Sequence, residues 1–561
     1  RIPLFMAMDA EWGLAMRLDS TYAFPWNMTL GAIKDNSLIE RTGRRIGAHC
    51  KALGMQFNFA PDVDINTNPN NPIIGNRSFG EDKENVAQKG LAFTRGMQAS
   101  GVLGSAKHFP GHGDSATDSH KTLPTIGFTA ERIGQVELYP FKMLKDEVAS
   151  VMVAHLNVPS LEKKAGLPSS LSSAIITDLL KKQLGYEGLI FTDALGMKGV
   201  ADYLPVGEVE VAAFLAGNDI LLMPSNVPKG FEALKKAYNN GKITEERLAY
   251  SVKKILMAKY KVGLTTFNPI DPSALSGRLH TLDDDLLTES LFENALTVGK
   301  NKEDILPLKA LEKRRIAYVK FGNASGWEFY KALRKYAEVA LIEPKDEAQL
   351  YAAIEPYETI VIGLHKSDKT PWDGYKFTAN ELRWLEYIAK KKKVILSVFT
   401  SPYAMLDVKH LAPIKAIVFA YQNHKVAQQK AAELIFGAIE GRGVLPVTAH
   451  PELPVGTSIT TQKIGRLGYS MPENAGFSSL RLSLIDTIAK EALRERMTPG
   501  MQILVAKHGR IVYRKNFGTL DYNPNNQVND NTLYDLASLT KILATLPELM
   551  RLYTKGDFKP V

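Results

Sequence analysis

The sequence predicts an α/β protein: a TIM-like (β/α)8 barrel over residues 1–265, an α/β sandwich over 311–450, and an α+β module from 477 to 561. Three observations carry that prediction. Short apolar runs alternate with helical patterns through the first part, polar residues collect where those runs end, and a second alternating series follows a breaker-rich interruption. The length agrees, because single cores stop growing at roughly 250 to 300 residues, so 561 residues divide into two or three domains.

In the first series the strand candidates are PLFMAMD (3–9), FNFAPDVDI (57–65), VLGSAKHF (102–109), SVMVAHLNV (150–158), GLIFTDAL (188–195) and DILLMPS (219–225). Segments of helical period such as ERIGQVELYPFKMLKDE separate them, so the strands are expected to be parallel. Asp9 and Glu11, Asp62 and Asp64, Lys107 and His108, His155 and Asp193 all fall at strand ends. Polar groups gathered at carboxyl ends favour a barrel, whose active site lies on that face. A doubly wound open sheet is the competing arrangement. Six units are visible where a closed barrel needs eight.

Residues 266–310 read as a connection: FNPIDPSALSG breaks the pattern and LDDDLLTESLFENAL is an acidic helix. RRIAYVKFG (314–322), EVALIE (338–343), TIVIGLH (359–365), KVILSVF (393–399) and AIVFAY (416–421) then form the second series. Residues 451–476 lack periodicity and read as a linker. Beyond them lie a helix, RLSLIDTIAKEALRER, a hairpin turning at His508-Gly509, and a further helix, DLASLTKILATLPELMRLY. One hairpin leaves a sheet edge open, so this third domain is expected to be cut short at Val561.

Hydrophobic content of 45% and charged content of 23% are those of an ordinary globular protein, and no run approaches the ~18 apolar residues of a membrane span. The formal charge of +9 comes in short runs such as Lys390 to Lys393, without an aromatic-interleaved basic stripe, so no nucleic-acid partner is inferred. A single cysteine, Cys50, rules out an intrachain disulfide and a cysteine-based zinc cluster. The chain opens on RIPLFMAMD without an initiator Met or export signal, the expected look of a trimmed product.

The stretch KHFPGHGDSATDSHK (107–121) holds three of the eleven histidines. His108 and His112 are four apart, but Pro110, Gly111 and Gly113 preclude the helix that would align them on a metal, and the HExxH glutamate is missing. Asp118 and His120 are two apart in a loop, so the carboxylate can accept from one ring nitrogen and leave the other for proton transfer. Asp193, at the end of GLIFTD, is the carboxylate best placed to attack a carbon electrophile.

Together KHFPGHGDSATDSH, IFTDALGMKG, IGNRSFGED and MDAEWGLAMR resemble the bacterial β-N-acetylglucosaminidases of glycoside hydrolase family three, over nearly all of 1–265. The resemblance implies a TIM-like barrel whose first two strands lie upstream of Arg1. It implies Asp193 as the nucleophile of a retaining mechanism and His120, paired with Asp118, as general acid/base. It carries sugar binding onto Asp9, Arg17, Arg77, Lys107 and His108, with no metal and no cofactor. The chain departs from the pattern at Ala10 and Trp12, where a Gln and a glycine are common, and at Ala194, where a second Asp is common. Residues 311–450 resemble the α/β sandwich of two-domain members.

Ser538-Leu539-Thr540-Lys541 fits S-x-x-K, in which a lysine one helical turn on takes the proton of a nucleophilic serine. The same pattern at Ser160–Lys163 and Ser251–Lys254 is given no function. A helix, then a hairpin, then YDLASLTK resembles the β-lactamase and penicillin-binding-protein-like serine hydrolases over 477–561. The remaining motifs of that family would lie beyond Val561, so this second site is expected to be incomplete and inactive here.

The expected activity is a retaining exo-β-N-acetylglucosaminidase acting on a peptidoglycan-derived glycan or muropeptide. A phosphorylase is the alternative, because a neutral imidazole does not repel an incoming phosphate as a carboxylate would. A non-catalytic glycan-binding scaffold is the third. The company of a wall-directed module points to a periplasmic or exported protein, with the cytoplasm left open; oligomeric state is left open too.

Overall fold

The computed structural model describes residues 2–266 and 269–559. Phe267 and Asn268, which open the breaker-rich connection, lie outside the described residues. The chain divides into two compact units, Arg1–Arg466 and Leu467–Val561.

The first unit opens with five parallel strands, β1 (Ala7–Met8), β2 (Phe57–Asn58), β3 (Leu103–Phe109), β4 (Ser150–Val153) and β5 (Leu189–Thr192), hydrogen-bonded in that order. A strictly sequential parallel order is that of a barrel arc; a doubly wound sheet reverses its order at a switch point. The sheet is a half-barrel. The run 219–225 contributes only one bridge, Ile220 beside Phe191. Its pairing stops there because Leu222 N–H donates to the Thr192 side chain, Met223 takes a positive φ, and Pro224 has no N–H.

The helices beneath this sheet follow from caps and buried stripes. Asp35 and Asp82 accept backbone N–H groups at the starts of Asn36–Ala52 and Lys83–Ala99. The two helices then pack so closely that a Cβ on Gly96 would lie 1.8 Å from the Glu40 carbonyl oxygen. Only glycine fits there.

The helix Leu282–Ala295 forms as expected, started by Thr281 with Asp284 in its first turn. Residues 266–310 are more than a connection, however. β6 (Thr297–Asn301) joins the second sheet, antiparallel to β11 (Ala416–Phe419). The other members are β7 (Ile316–Phe321), β8 (Val339–Ile342), β9 (Thr359–His365) and β10 (Lys393–Phe399), in the order β6-β11-β10-β9-β7-β8. One contiguous apolar core runs from Leu30, Ile46 and Phe93 under the half-barrel to Val319, Ile362 and Leu396 in the second sheet. Polar ties reinforce it: Arg45 and His49 both hold Asp284, at 2.7 and 3.1 Å.

The stretch 451–476 is not a free linker. Ile459 N–H donates to Val298 O and Arg466 donates to Leu308 O and Phe436 O, so its first part is a strap of the first unit. Its later part supplies β12 (Gly468–Tyr469) to the second unit. There β12 lies parallel to β14 (Arg510–Gly518), which pairs antiparallel with β13 (Gly500–Lys507) across the His508–Gly509 turn. Among the described residues no helix is long and apolar enough to cross a membrane.

Gly96→Ala is expected to destabilise the first unit by about 1–3 kcal/mol, the usual range for overpacking a close helix contact. Chemical denaturation against wild type measures it; an unchanged midpoint would mean the two helices can separate freely.

Candidate active site

Every strand of the half-barrel ends in polar residues, and those after β1 and on β3 meet in an ion cluster with Arg17 and Arg77. Lys107 on β3 lies 2.9 Å from Asp9 and 2.7 Å from Glu11, both just past β1. Arg77 grips Glu11 through two nitrogens, Nη2 at 2.7 Å and Nε at 3.0 Å, and its Nη1 donates to the Ile73 carbonyl. Arg17 closes the outer side on Asp9 at 2.8 Å. Burial opposes the ionisation of Glu11, but Arg77 and Lys107 outweigh it and hold its pKa at about 2. Asp9 is likewise held low, burial being outweighed by Lys107 and Arg17.

A second group adjoins it. Asp64 accepts from His108 Nδ1 at 2.6 Å and from the His112 backbone N–H at 2.6 Å. Burial works against its charge, and the His108 ring and these bonds bring its pKa down to about 2. With Nδ1 donating, His108 presents Nε2 as its free ring atom. Its neighbour Asp62 behaves oppositely: burial, then the Asp64 charge, raise its pKa well above the aspartate range. Asp62 Oδ2 has no hydrogen-bond partner, and Arg77 stands 3.6 Å away.

Asp62, Asp64 and His108 offer donor atoms within 4.8 Å of one another, the one such group among the described residues. The donor set suits a cation poorly. His108 Nδ1 already donates to Asp64, and burial with the Asp64 charge shifts Asp62 toward its protonated, poorly ligating form. His112 is no ligand partner either, since Ser115 and Ser119 take its two ring nitrogens at 2.8 and 3.0 Å. Burial and the His108 ring lower its pKa to about 4, so it is neutral and serves to shape the loop. The loop backbone presses against Ile65, whose carbonyl oxygen would lie 1.9 Å from a Cβ on Gly113.

The Asp118–His120 pair forms as its spacing suggests. Asp118 Oδ1 lies 2.8 Å from His120 Nδ1 and also accepts the His120 backbone N–H at 2.9 Å. Burial is outweighed by these bonds, so Asp118 is held below its ordinary pKa. The His120 side chain is 58% exposed, which leaves Nε2 open to the solvent side.

Asp193 follows β5, with its backbone N–H on Val153 O and its Oδ1 accepting from Ala194 N–H at 2.8 Å. Burial opposes its charge; the His155 and His108 rings, the Ala194 N–H and Lys107 outweigh it. A half-buried carboxylate thus stays ionised with most of its lone pairs free. The Gly199 N–H donates to Ser119 O, which ties the segment after Asp193 to the loop carrying His120.

The structure therefore gathers Asp9, Arg17, Arg77, Lys107 and His108 into neighbouring groups at the strand ends. Three residues had no assigned role in the sequence reading: Glu11, which joins Arg77 to Lys107; Asp64, which sets the His108 tautomer; and His155, whose Nε2 lies 3.0 Å from Ala194 O. Their position at strand ends was the available signal. In the second unit Lys541 Nζ donates to Ser538 Oγ at 3.3 Å. Of the two other S-x-x-K matches, Ser251–Lys254 is a structural pair, both side chains holding Asp219.

A parallel half-barrel with charged groups and an ionised carboxylate at its strand ends defines an α/β protein with a polar site on the carboxyl face of its sheet. Residues 1–258 match the Glycosyl hydrolase family 3 N terminal domain and 485–560 match Beta-lactamase. A solved glycoside hydrolase family 3 beta-N-acetylglucosaminidase from Paenibacillus sp. str. FPU-7 is 30% identical, with a TM-score of 0.66 over 81% of this chain and 87% of that one. Beta-hexosaminidase A of Pseudoalteromonas piscicida is 35% identical over 335 residues, 55% of each protein. A beta-hexosaminidase of Neisseria meningitidis serogroup C (strain 053442) is 34% identical over 229 residues, covering 39% of this chain and 62% of that protein. The chain spans a little over half the length of these curated relatives. The chain belongs to glycoside hydrolase family 3.

The two neighbouring aspartates should respond oppositely to pH. Asp62 has a raised folded pKa, so the stability it allows below its unfolded value of 3.8 is lost as pH rises. Asp62→Asn, which mimics the protonated acid, is expected to gain Tm relative to wild type from about pH 4 to about pH 7. Asp64 has a depressed pKa, so its contribution is present above 3.8 and lost as pH falls toward 2. Asp64→Asn should therefore show its largest Tm deficit near pH 7, from loss of charged hydrogen bonds worth about 1.5–3 kcal/mol each. Melting curves across pH check both signs.

Proposed function

We propose that this chain is a retaining exo-β-N-acetylglucosaminidase that releases terminal N-acetylglucosamine from peptidoglycan-derived glycans. The observation that supports the reading is an ionised carboxylate, Asp193, whose following segment is tied through the Gly199 N–H to Ser119 O, on the loop that carries the open His120 imidazole with its inner nitrogen on Asp118. In the first step Asp193 attacks the anomeric carbon. The glycosidic bond breaks, and protonated His120 Nε2 gives its proton to the departing oxygen. In the second step neutral His120 takes a proton from water, the water oxygen bonds to the anomeric carbon, and Asp193 leaves as a carboxylate. Its lowered pKa suits both attack and departure. An imidazole thus replaces one carboxylate of the usual retaining pair.

The ion cluster supplies binding. Asp9 accepts from sugar hydroxyls, Arg17, Arg77 and Lys107 donate to hydroxyls and ring substituents, and His108, whose Nδ1 donates to Asp64, accepts from a hydroxyl at Nε2. The half-barrel is read as part of a (β/α)8 barrel. The names of the relatives, beta-hexosaminidases and a beta-N-acetylglucosaminidase, support the sugar; the accompanying Beta-lactamase match supports a cell-wall glycan and a periplasmic or exported location. Ser538 and Lys541 are read as nucleophile and base of a separate serine-hydrolase site.

An aryl β-N-acetylglucosaminide assayed with wild type, Asp193→Ala and His120→Ala tests this. Loss of turnover in Asp193→Ala is expected, with about a 10²–10⁴-fold fall in His120→Ala that azide partly restores. Equal turnover in all three would sink the assignment, and binding without cleavage by wild type would favour a scaffold. Release of sugar phosphate when phosphate is added would make phosphate, not water, the acceptor.

A further inference from the structure

His120 stands on an exposed loop and Arg77 on a buried turn, and one buried side chain, Asn71, bonds to both segments. Its Oδ1 accepts the backbone N–H groups of Ile73 and Ile74, each at 3.0 Å. Those two residues hold Arg77 through their carbonyls: Ile73 O accepts from Nη1 at 3.0 Å and Ile74 O from the Arg77 backbone N–H at 2.8 Å. On its other side Asn71 Nδ2 donates to His112 O and Gly113 O, 41 and 42 residues further along the chain, each at 2.9 Å. An asparagine that only caps a turn uses its oxygen on the next residues and leaves its N–H bonds to chance. Here both lone pairs and both N–H bonds of the amide are used.

His112 passes this grip along the loop. Its backbone N–H donates to Asp64 at 2.6 Å and its carbonyl accepts from Asn71, so the residue is pinned on both sides of its backbone. Its ring then bridges Ser115 and Ser119, at 2.8 and 3.0 Å. Ser119 stands between Asp118 and His120 in the chain. Ala116, Thr117 and His120 are exposed, whereas His112, Ser115 and Ser119 are buried, so this polar relay is what anchors the loop. A loop with few buried apolar contacts opens at low free energy. An acid misplaced by about 1 Å can lose on the order of 10²-fold in rate.

We propose that Asn71 is a positioning residue for proton transfer: by joining the turn that carries Arg77 to the loop that carries Asp118 and His120, it sets the distance between the bound sugar and the acid/base. With its amide fully used inside the protein, Asn71 has no group left for a substrate, and it acts through His112 and Ser119. The proposal rests on the reading of Asp193 and His120 given above. Loss of the clamp weakens a bond cleavage that needs a proton and spares one that does not.

The test compares kcat/KM for phenyl β-N-acetylglucosaminide, whose leaving oxygen needs a proton, and for the dinitrophenyl glycoside, whose phenolate departs without one. Wild type, His120→Ala, Asn71→Ala and Asn71→Asp are assayed. Asn71→Ala is expected to lower kcat/KM for the phenyl glycoside about tenfold more than for the dinitrophenyl glycoside. Asn71→Asp keeps an acceptor for Ile73 and Ile74 but brings at most one donor to the two loop carbonyls, so it should shift the ratio in the same direction. A residue that merely caps a turn or supports the fold predicts equal losses on both substrates. An unchanged ratio in Asn71→Ala, or in Asn71→Asp where Asn71→Ala does not fold, overturns the clamp. If wild type cleaves neither glycoside, or His120→Ala loses equally on both, the His120 reading itself has failed and the clamp with it, so the His120→Ala ratio tells the two failures apart.

Discussion

Lys107 between Asp9 and Glu11 is the contact on which the site depends. The ammonium is almost wholly buried, and a charge so placed is tolerated only when it is fully paired. Glu11 is buried too and divides its oxygens between Lys107 and Arg77. Arg77, in turn, is fixed by the Ile73 carbonyl. β1, β3 and the turn at Gly75–Arg77 are thereby locked together at one end by charge, while apolar packing holds them elsewhere. Removing any one member strands the others in a medium that stabilises lone charge poorly. The positions of Asp9, Arg17 and Lys107 are correlated for that reason.

Asp62 shows the limit of such pairing. Three cations, Arg17, Arg77 and Lys107, face the carboxylates of Asp9 and Glu11, and Asp64 has its own partner in His108. Asp62 has the Asp64 backbone N–H on its Oδ1 at 3.0 Å, while its Oδ2 is without a hydrogen bond because Arg77 is turned toward Glu11 and stands 3.6 Å away. Burial and the Asp64 charge therefore outweigh the nearby cations and shift Asp62 toward its protonated form. Asp64 is the carboxylate in hydrogen-bond reach of His108 Nδ1, so it sets which ring nitrogen faces outward.

What the sequence revealed of this site follows chain distance. Asp118 and His120 are two residues apart, and any extended loop brings such a pair into register, so their bond was legible. Glu11 and Arg77 are 66 apart and Asp64 and His108 are 44 apart; only the closed fold brings those together. The sheets behave similarly. The parallel series was readable because buried strands are continuous apolar runs set between helices. Thr297–Asn301 was not, because a five-residue antiparallel edge amid breakers has no such flanks. The run 219–225 looked like a strand by composition, yet Met223 and Pro224 stop the pairing after Ile220.

The proposed chemistry also follows a gradient of burial. Glu11, Asp64 and Lys107 are closed to solvent, Asp193 is half-buried, and His120 stands open. Groups such as Glu11 and Asp64 that hold other side chains in place gain from a dry setting, where each charge–dipole contact is stronger. A nucleophile that must form and release a bond needs ionisation without a tight partner, which the Ala194 N–H and more distant positive groups provide. The proton carrier needs the opposite of burial. It takes two protonation states within one turnover, and a dry pocket would favour the neutral ring so strongly that the first step would lack its acid. Asp118 accepts from Nδ1 and the side chain is 58% exposed, so Nε2 is the nitrogen left on the wet side for the proposed proton transfer.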